Sequence, residues 1–77
     1  MTYLIEYDRV HGKLIRLDKY SDDDRLRAAD ARIELEVELN KHGVLHEVVL
    51  LEASSEADLR RTHRRYFEDL SSLATTL

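Results

Sequence analysis

The stretch RIELEVEL, from Arg32 to Leu39, decides the fold of this chain because it fits two kinds of secondary structure. As a strand, it alternates between apolar residues on one face and acidic residues on the other. As a helix, it places apolar residues on two opposite faces. Its composition favours the helix, since Glu and Leu are good helix formers and Glu is depleted in strands. We therefore predict a helix through Ile33–Leu39 and keep the strand as the alternative.

The residues around this stretch supply a helix start and a helix end. Ser21 can cap the helix, and three aspartates follow it in the first turn, where negative charge is favourable. Gly43 lies where a left-handed residue commonly ends a helix. Two roughly opposite apolar stripes result: Leu26, Ala29, Ile33 and Val37 form the first, and Ala28, Ala31, Leu35 and Leu39 form the second. A helix with two apolar faces must pack against two different surfaces to bury both of them. We expect the second stripe to form a dimer interface.

Three strands are predicted outside this helix. Thr2–Asp8 and Lys13–Lys19 both alternate at period two, and Gly12 supplies a turn between them, which predicts a hairpin. Val48–Leu51 is a run of four aliphatic residues, typical of a central strand that is covered on both faces. A second helix follows, with Ser54 or Ser55 as its cap. Its apolar stripe is predicted to consist of Leu59, His63, Tyr66, Leu70 and Leu73.

These elements predict a single small α+β domain over residues 1–77, with the order β-β-α-β-α. We expect a three-stranded sheet in the order 2-1-3 with two helices packed on one face. Residues 70–77 are expected to fray. The other sheet face would be bare and would carry Leu4 and Leu14, so it is a second candidate for a dimer interface.

The predicted second helix carries a concentration of positive charge on an otherwise acidic chain. We call it the arginine cluster, and it consists of Arg60, Arg61, His63, Arg64 and Arg65. Arginine offers a rigid fork of donors to phosphate or carboxylate, so the cluster is a candidate site for an anion, a nucleic acid or a protein partner. The alternative is a solvated face whose arginines lie beside the buried stripe and pair with acids of the first helix. We favour this alternative.

The residue inventory disfavours catalysis and cofactor chemistry. The chain has no cysteine and only two glycines, which cannot build a phosphate loop or a nucleophile elbow. His42 and His46 are four residues apart, but Gly43 interrupts the helix that would align them as metal ligands. We therefore expect no enzyme, no cofactor and no metal site.

Size and charge point instead to self-association. A domain this short buries roughly 60% of the surface of its unfolded chain, and small domains commonly add a disulfide, a metal or a partner. The net charge of −4 disfavours general nucleic-acid binding. We predict a homodimer that acts in protein–protein interaction, as an adaptor, regulatory subunit or accessory factor, and nucleic-acid or phosphate binding is the alternative. Since Met1–Glu6 does not resemble a signal peptide and no apolar run approaches ~20 residues, we expect a cytoplasmic protein without a membrane partner.

Overall fold

The first strand of the chain lies in the middle of the sheet. The structure, a computed structural model, describes residues 1–68. Strand β1 (Thr2–Asp8) pairs antiparallel with β2 (Lys13–Tyr20) on one side and with β3 (Glu47–Glu52) on the other. The sheet order is therefore β2-β1-β3, which confirms the predicted hairpin and the predicted 2-1-3 order. Gly12 adopts a φ of 63° in the hairpin turn, a conformation that glycine reaches at little cost.

Strand β3 is an edge strand, so the prediction that Val48–Leu51 forms a central strand is wrong. These four residues are only half-buried, whereas Thr2–Tyr7 of β1 is buried throughout. A strand that is covered on both faces needs apolar residues at every position, whether it lies in the centre or at the edge. The run of four aliphatic residues therefore indicates that both faces of the strand are covered. It does not indicate whether the strand is central or at the edge of the sheet.

Helix α1 runs from Arg25 to Lys41, so Ile33–Leu39 is helical as predicted. A short 3-10 turn, Asp22–Asp24, leads into it. The hydroxyl of Ser21 donates to Asp24 Oδ2 at 3.1 Å and accepts no hydrogen bond from a backbone N–H, so the prediction that this hydroxyl caps the helix is wrong. Gly43 has a φ of 66° just beyond the helix, where the left-handed residue was predicted.

The two helices lie on opposite faces of the sheet, which corrects the prediction that both pack on one face. Helix α2 (Glu56–Thr62) buries Leu59 in a cluster with three residues of β1: Tyr3, Ile5 and Tyr7. Successive strand residues point to opposite faces, so Leu4 points away from this cluster. Leu4 is 1% exposed and Ala28 of α1 is 0% exposed, because α1 covers that face. The sheet face that we expected to be bare is therefore covered.

Helix α2 is shorter than the predicted second helix. It begins as predicted, since Ser55 Oγ accepts a hydrogen bond from the Asp58 N–H at 3.1 Å. It ends at Thr62, because His63 leaves the helical region with φ −125° and ψ 51°, and a 3-10 turn over Arg64–Tyr66 follows. The rest of its predicted apolar stripe and the predicted frayed tail, Leu70, Leu73 and residues 70–77, lie outside the described residues.

Candidate functional site

Helix α1 presents a row of large apolar side chains to solvent. Leu26 is 83% exposed, Ile33 is 53% exposed and Val37 is 60% exposed. Their spacings of seven and four residues place them along one side of the helix. We call these three residues the exposed α1 stripe. Single apolar residues scattered over a surface are normal. An aligned group of them on a domain this small more often marks a surface that another molecule covers.

The residues predicted to form a dimer interface lie on the other side of α1, toward the sheet. They are Ala28, Ala31, Leu35 and Leu39. Ala28 is buried and the other three are half-buried, and Leu39 lines a cavity of about 230 Å³ together with Val48 of β3. The assignment is corrected: this stripe belongs to the core, and the first stripe is the exposed one. Alanine at two of the four positions lets the helix lie close to the sheet, which explains the choice of face.

The arginine cluster does not form one open site, because every arginine in it already faces a carboxylate. Four ion pairs use its four arginines: Arg60–Glu56 at 3.4 Å, Arg61–Asp58 at 2.5 Å, Arg64–Glu68 at 3.7 Å and Arg65–Glu47 at 2.6 Å. His63 lies at the end of α2 and is half-buried. None of these acids comes from α1, which lies on the opposite face, so the predicted pairing with that helix is wrong within one chain, and pairing with α1 of another chain stays a prediction.

Arg65 and Tyr66 hold the segment after α2 against β3. The Tyr66 hydroxyl donates to Glu47 Oε2 at 2.5 Å, and Arg65 donates to the same oxygen at 2.6 Å. The Tyr66 ring packs edge-on against Tyr7 with ring centres 5.3 Å apart, and the Arg65 guanidinium stacks 4.3 Å from the Tyr66 ring centre. This network fixes the chain on the sheet, which gives it a structural role.

The network changes the proton affinity of both partners. Burial by itself would raise the pKa of Glu47, but the hydrogen bonds from Tyr66 and Arg65 outweigh it and hold that pKa below its ordinary value. Burial and the Glu47 carboxylate raise the pKa of Tyr66. Glu47 is therefore held ionised and Tyr66 is held neutral, so neither group is poised to exchange a proton near neutral pH.

A second polar cluster lies on the α1 face of β1, and sequence reasoning missed it. The Glu6 side chain is 6% exposed, and its Oε2 lies 2.6 Å from Nδ1 of His46. The other nitrogen of His46, Nε2, lies 3.8 Å from Asp8 Oδ2, and Arg16 Nε lies 3.7 Å from Glu6 Oε1. Both imidazole nitrogens thus face carboxylates. The imidazole is half-buried and Nδ1 is at hydrogen-bond distance from Glu6, so His46 links the start of β3 to β1 and has a structural role.

The only signal for this second cluster in the sequence is one acidic residue, Glu6, among the apolar residues of β1. Its partner His46 is 40 positions away, so the pairing depends on how β3 is aligned with β1. A buried carboxylate needs a partner, but the sequence does not say which one.

Within residues 1–68, no group of three or more His, Asp or Glu side chains is arranged to hold a metal ion. None of the helices in the same part of the chain has both the length and the apolar character that a membrane crossing requires. In comparisons with known proteins, no family model, no curated sequence and no solved structure matches the chain. Indications of function therefore come from the surface of the domain.

Proposed function

We propose that this chain is a protein-interaction domain that works as a homodimer, without catalysis, through the exposed α1 stripe. The observation that carries the proposal is the exposure of Leu26, Ile33 and Val37 along a single line of α1. Full burial of one such side chain contributes about 1.5–3 kcal/mol. A second copy that covers all three would offset the cost of association for a short interface.

The size of the domain supports self-association as the way in which this surface is used. A chain of 77 residues has a thin stability margin and, without cysteine, cannot add a disulfide. Association with a second copy adds buried apolar surface without changing the fold. A domain whose distinctive surface is apolar fits an accessory or regulatory role.

The polar clusters support the non-catalytic part of the proposal. The imidazole of His46 has a carboxylate at each nitrogen, and the Glu47–Tyr66 pair is stabilised in its resting protonation state. All four arginines of the arginine cluster lie beside carboxylates, and the chain has a net charge of −4. We therefore do not carry the nucleic-acid or phosphate alternative into the proposal.

A cytoplasmic location completes the proposal. It rests on the absence of cysteine, since small secreted domains are commonly held together by disulfides. Fractionation of cells that express a tagged chain tests it, and recovery in a secreted or membrane fraction would contradict it.

Sedimentation equilibrium of the full chain tests the interface. The interface is small, so concentrations should run from about 10 μM to about 1 mM. We expect the wild-type chain to reach twice its mass of 9.0 kDa and Ile33→Asp to stay at 9.0 kDa. Val10→Asp is the matched control, because Val10 is 77% exposed and lies in the hairpin turn, outside α1. A wild-type monomer throughout, or a dimer unaffected by Ile33→Asp, would refute the proposal.

A further inference from the structure

The charges of α1 are divided between its two halves. Arg25, Arg27, Arg32 and one acid, Asp30, precede Ile33, and Glu34, Glu36, Glu38 and one base, Lys41, follow it, so the two halves carry net charges of +2 and −2. All eight side chains belong to exposed residues. The three arginines have ion pairs within the chain, with Glu52, Asp24 and Glu36, but these pairs are solvent-exposed and therefore weak, so a molecule that covers the exposed α1 stripe can compete for them. A partner helix that covers the exposed α1 stripe therefore meets net positive charge along one half of its length and net negative charge along the other half.

We propose that two copies of this chain pair through α1 in an antiparallel arrangement, with a twofold axis at the level of Ala31 and Arg32, midway between Leu26 and Val37. This inference rests on the proposed homodimer and adds its geometry. Antiparallel pairing sets the arginine half of one helix against the glutamate half of the other, whereas parallel pairing would bring like charges together. A twofold axis also makes the contact self-complementary, so it closes at two copies.

The apolar residues fit the same arrangement. Leu26 and Val37 end the stripe and are eleven positions apart, which is about 16 Å along a helix. When one helix is reversed about the middle of the stripe, Leu26 of one copy meets Val37 of the second copy. The two Ile33 residues then lie on either side of the axis, about 4.5 Å apart along the helix direction, and each is opposite Asp30 of the second copy. A large apolar residue thus faces a large apolar residue at both ends of the stripe, and the two Ile33 side chains are neighbours near its centre.

Arg27 supplies the specific ionic contact in this arrangement. It is 79% exposed and its own-chain contact with Asp24 is long, at 3.8 Å. Arg27, Glu34 and Glu38 lie along one flank of the stripe, at spacings of seven and four. In an antiparallel pair the same flanks face each other, so Arg27 of one copy reaches the interval between Glu34 and Glu38 of the second copy.

Disulfide trapping tests the antiparallel arrangement. Because the chain has no cysteine of its own, any disulfide must join introduced cysteines. The variants are Leu26→Cys, Val37→Cys and Ile33→Cys in the full chain, each equilibrated in a glutathione redox buffer. Cysteines whose Cα atoms are more than about 7 Å apart do not form a disulfide without backbone movement. The antiparallel pair predicts a disulfide-linked dimer for Ile33→Cys alone and for the mixture of Leu26→Cys with Val37→Cys. It predicts none above background for Leu26→Cys or Val37→Cys alone, and Val10→Cys sets the background.

The outcomes separate this inference from the proposed homodimer. A disulfide in Leu26→Cys alone would show a parallel pair, which overturns the antiparallel arrangement and leaves the homodimer intact. No disulfide above background in any sample, with a wild-type dimer in sedimentation, would place the interface elsewhere and overturn both the stripe and the arrangement. No disulfide together with a wild-type monomer would overturn the homodimer itself.

Discussion

Nδ1 of His46 lies 2.6 Å from Oε2 of Glu6, and this contact joins the residue before β3 to the central strand. It places a histidine–carboxylate pair under α1 in the middle of a chain that carries most of its charge on the surface. A second histidine–carboxylate pair, His42 with Glu38 at 2.9 Å, lies in solvent at the end of α1. The two pairs share their chemistry and differ in burial, so they form a natural comparison.

We predict that His46→Ala lowers the free energy of unfolding by about 1–3 kcal/mol, because the buried Glu6 carboxylate loses its closest partner. His42→Ala should cause a much smaller loss, since both members of that pair are about 60% exposed. Urea unfolding followed by circular dichroism measures both values. Equal losses in the two variants would show that the buried pair does not stabilise the fold.

We predict that Tyr66→Phe costs about 1 kcal/mol, because it removes the hydroxyl that donates to Glu47 while the ring still packs against Tyr7. Tyr3→Phe is the matched control. The Tyr3 hydroxyl is buried and has no hydrogen-bond partner among the described residues, so its removal should be neutral or stabilising. The same unfolding experiment compares the two variants, and a larger loss for Tyr3→Phe would contradict the assignment of the network.

We predict that the stability contributed by Glu47 depends on pH. Its pKa in the folded chain lies below the ordinary 4.5, so the ionised form stabilises the fold above that value and loses its effect as the pH falls through the folded pKa. The difference in unfolding free energy between wild type and Glu47→Gln should therefore be largest near neutral pH and should shrink toward pH ~3. Glu52→Gln, an exposed carboxylate on the same strand, is the control. A difference that grows in acid would have the wrong sign.

We predict that Gly43→Ala costs about 1 kcal/mol or slightly more. Gly43 has a positive φ at the end of α1, and a Cβ built there has no atom within 4 Å, so the cost is conformational and not steric. Gly43→Asn should cost less, because asparagine tolerates the left-handed region better. If both variants unfolded at the wild-type urea midpoint, the glycine would have no role in ending the helix.

We predict that charge reversal weakens the dimer and that reciprocal reversal restores it. Arg27→Glu places negative charge opposite Glu34 and Glu38 of the second copy, so its dissociation constant should rise by about tenfold. A chain that carries Glu34→Arg and Glu38→Arg should behave in the same way alone. A mixture of the two variants should form a heterodimer, because each reversal then faces its opposite. Sedimentation of the separate and mixed samples measures this, and a mixture no heavier than its parts would contradict the ionic contact.

Much of the fold follows from local sequence chemistry. The alternation in Thr2–Asp8, the glycines at the turn and at the end of α1, and the Ser55 cap each act within a few residues, so the sequence alone predicts them. The helical conformation of RIELEVEL was decided by propensity and by the helix end that follows it. These features need no knowledge of the tertiary structure.

The errors arise where tertiary contacts decide. Both stripes of α1 are apolar, so the sequence could not show that Ala28 would lie on the sheet and Ile33 in solvent. The end of α2 at Thr62 has no glycine or proline to mark it, and the contacts of Tyr66 with Glu47 across the sheet hold the chain there. The pairing of Glu6 with His46 depends on strand alignment in the same way. In each case the predicted type of element was right. The error concerned the surface on which a helix face packs or the residue with which a side chain pairs.

The most direct test of the central claim is an isotope-filtered NMR experiment on an equal mixture of ¹³C-labelled and unlabelled wild-type chains. It detects contacts only between different molecules. We expect cross-peaks between the methyl groups of Leu26 and Val37, which touch only if two α1 helices pair in opposite directions. Intermolecular cross-peaks confined to β3, or none at concentrations where sedimentation shows a dimer, would contradict the claim that the exposed α1 stripe is the interface.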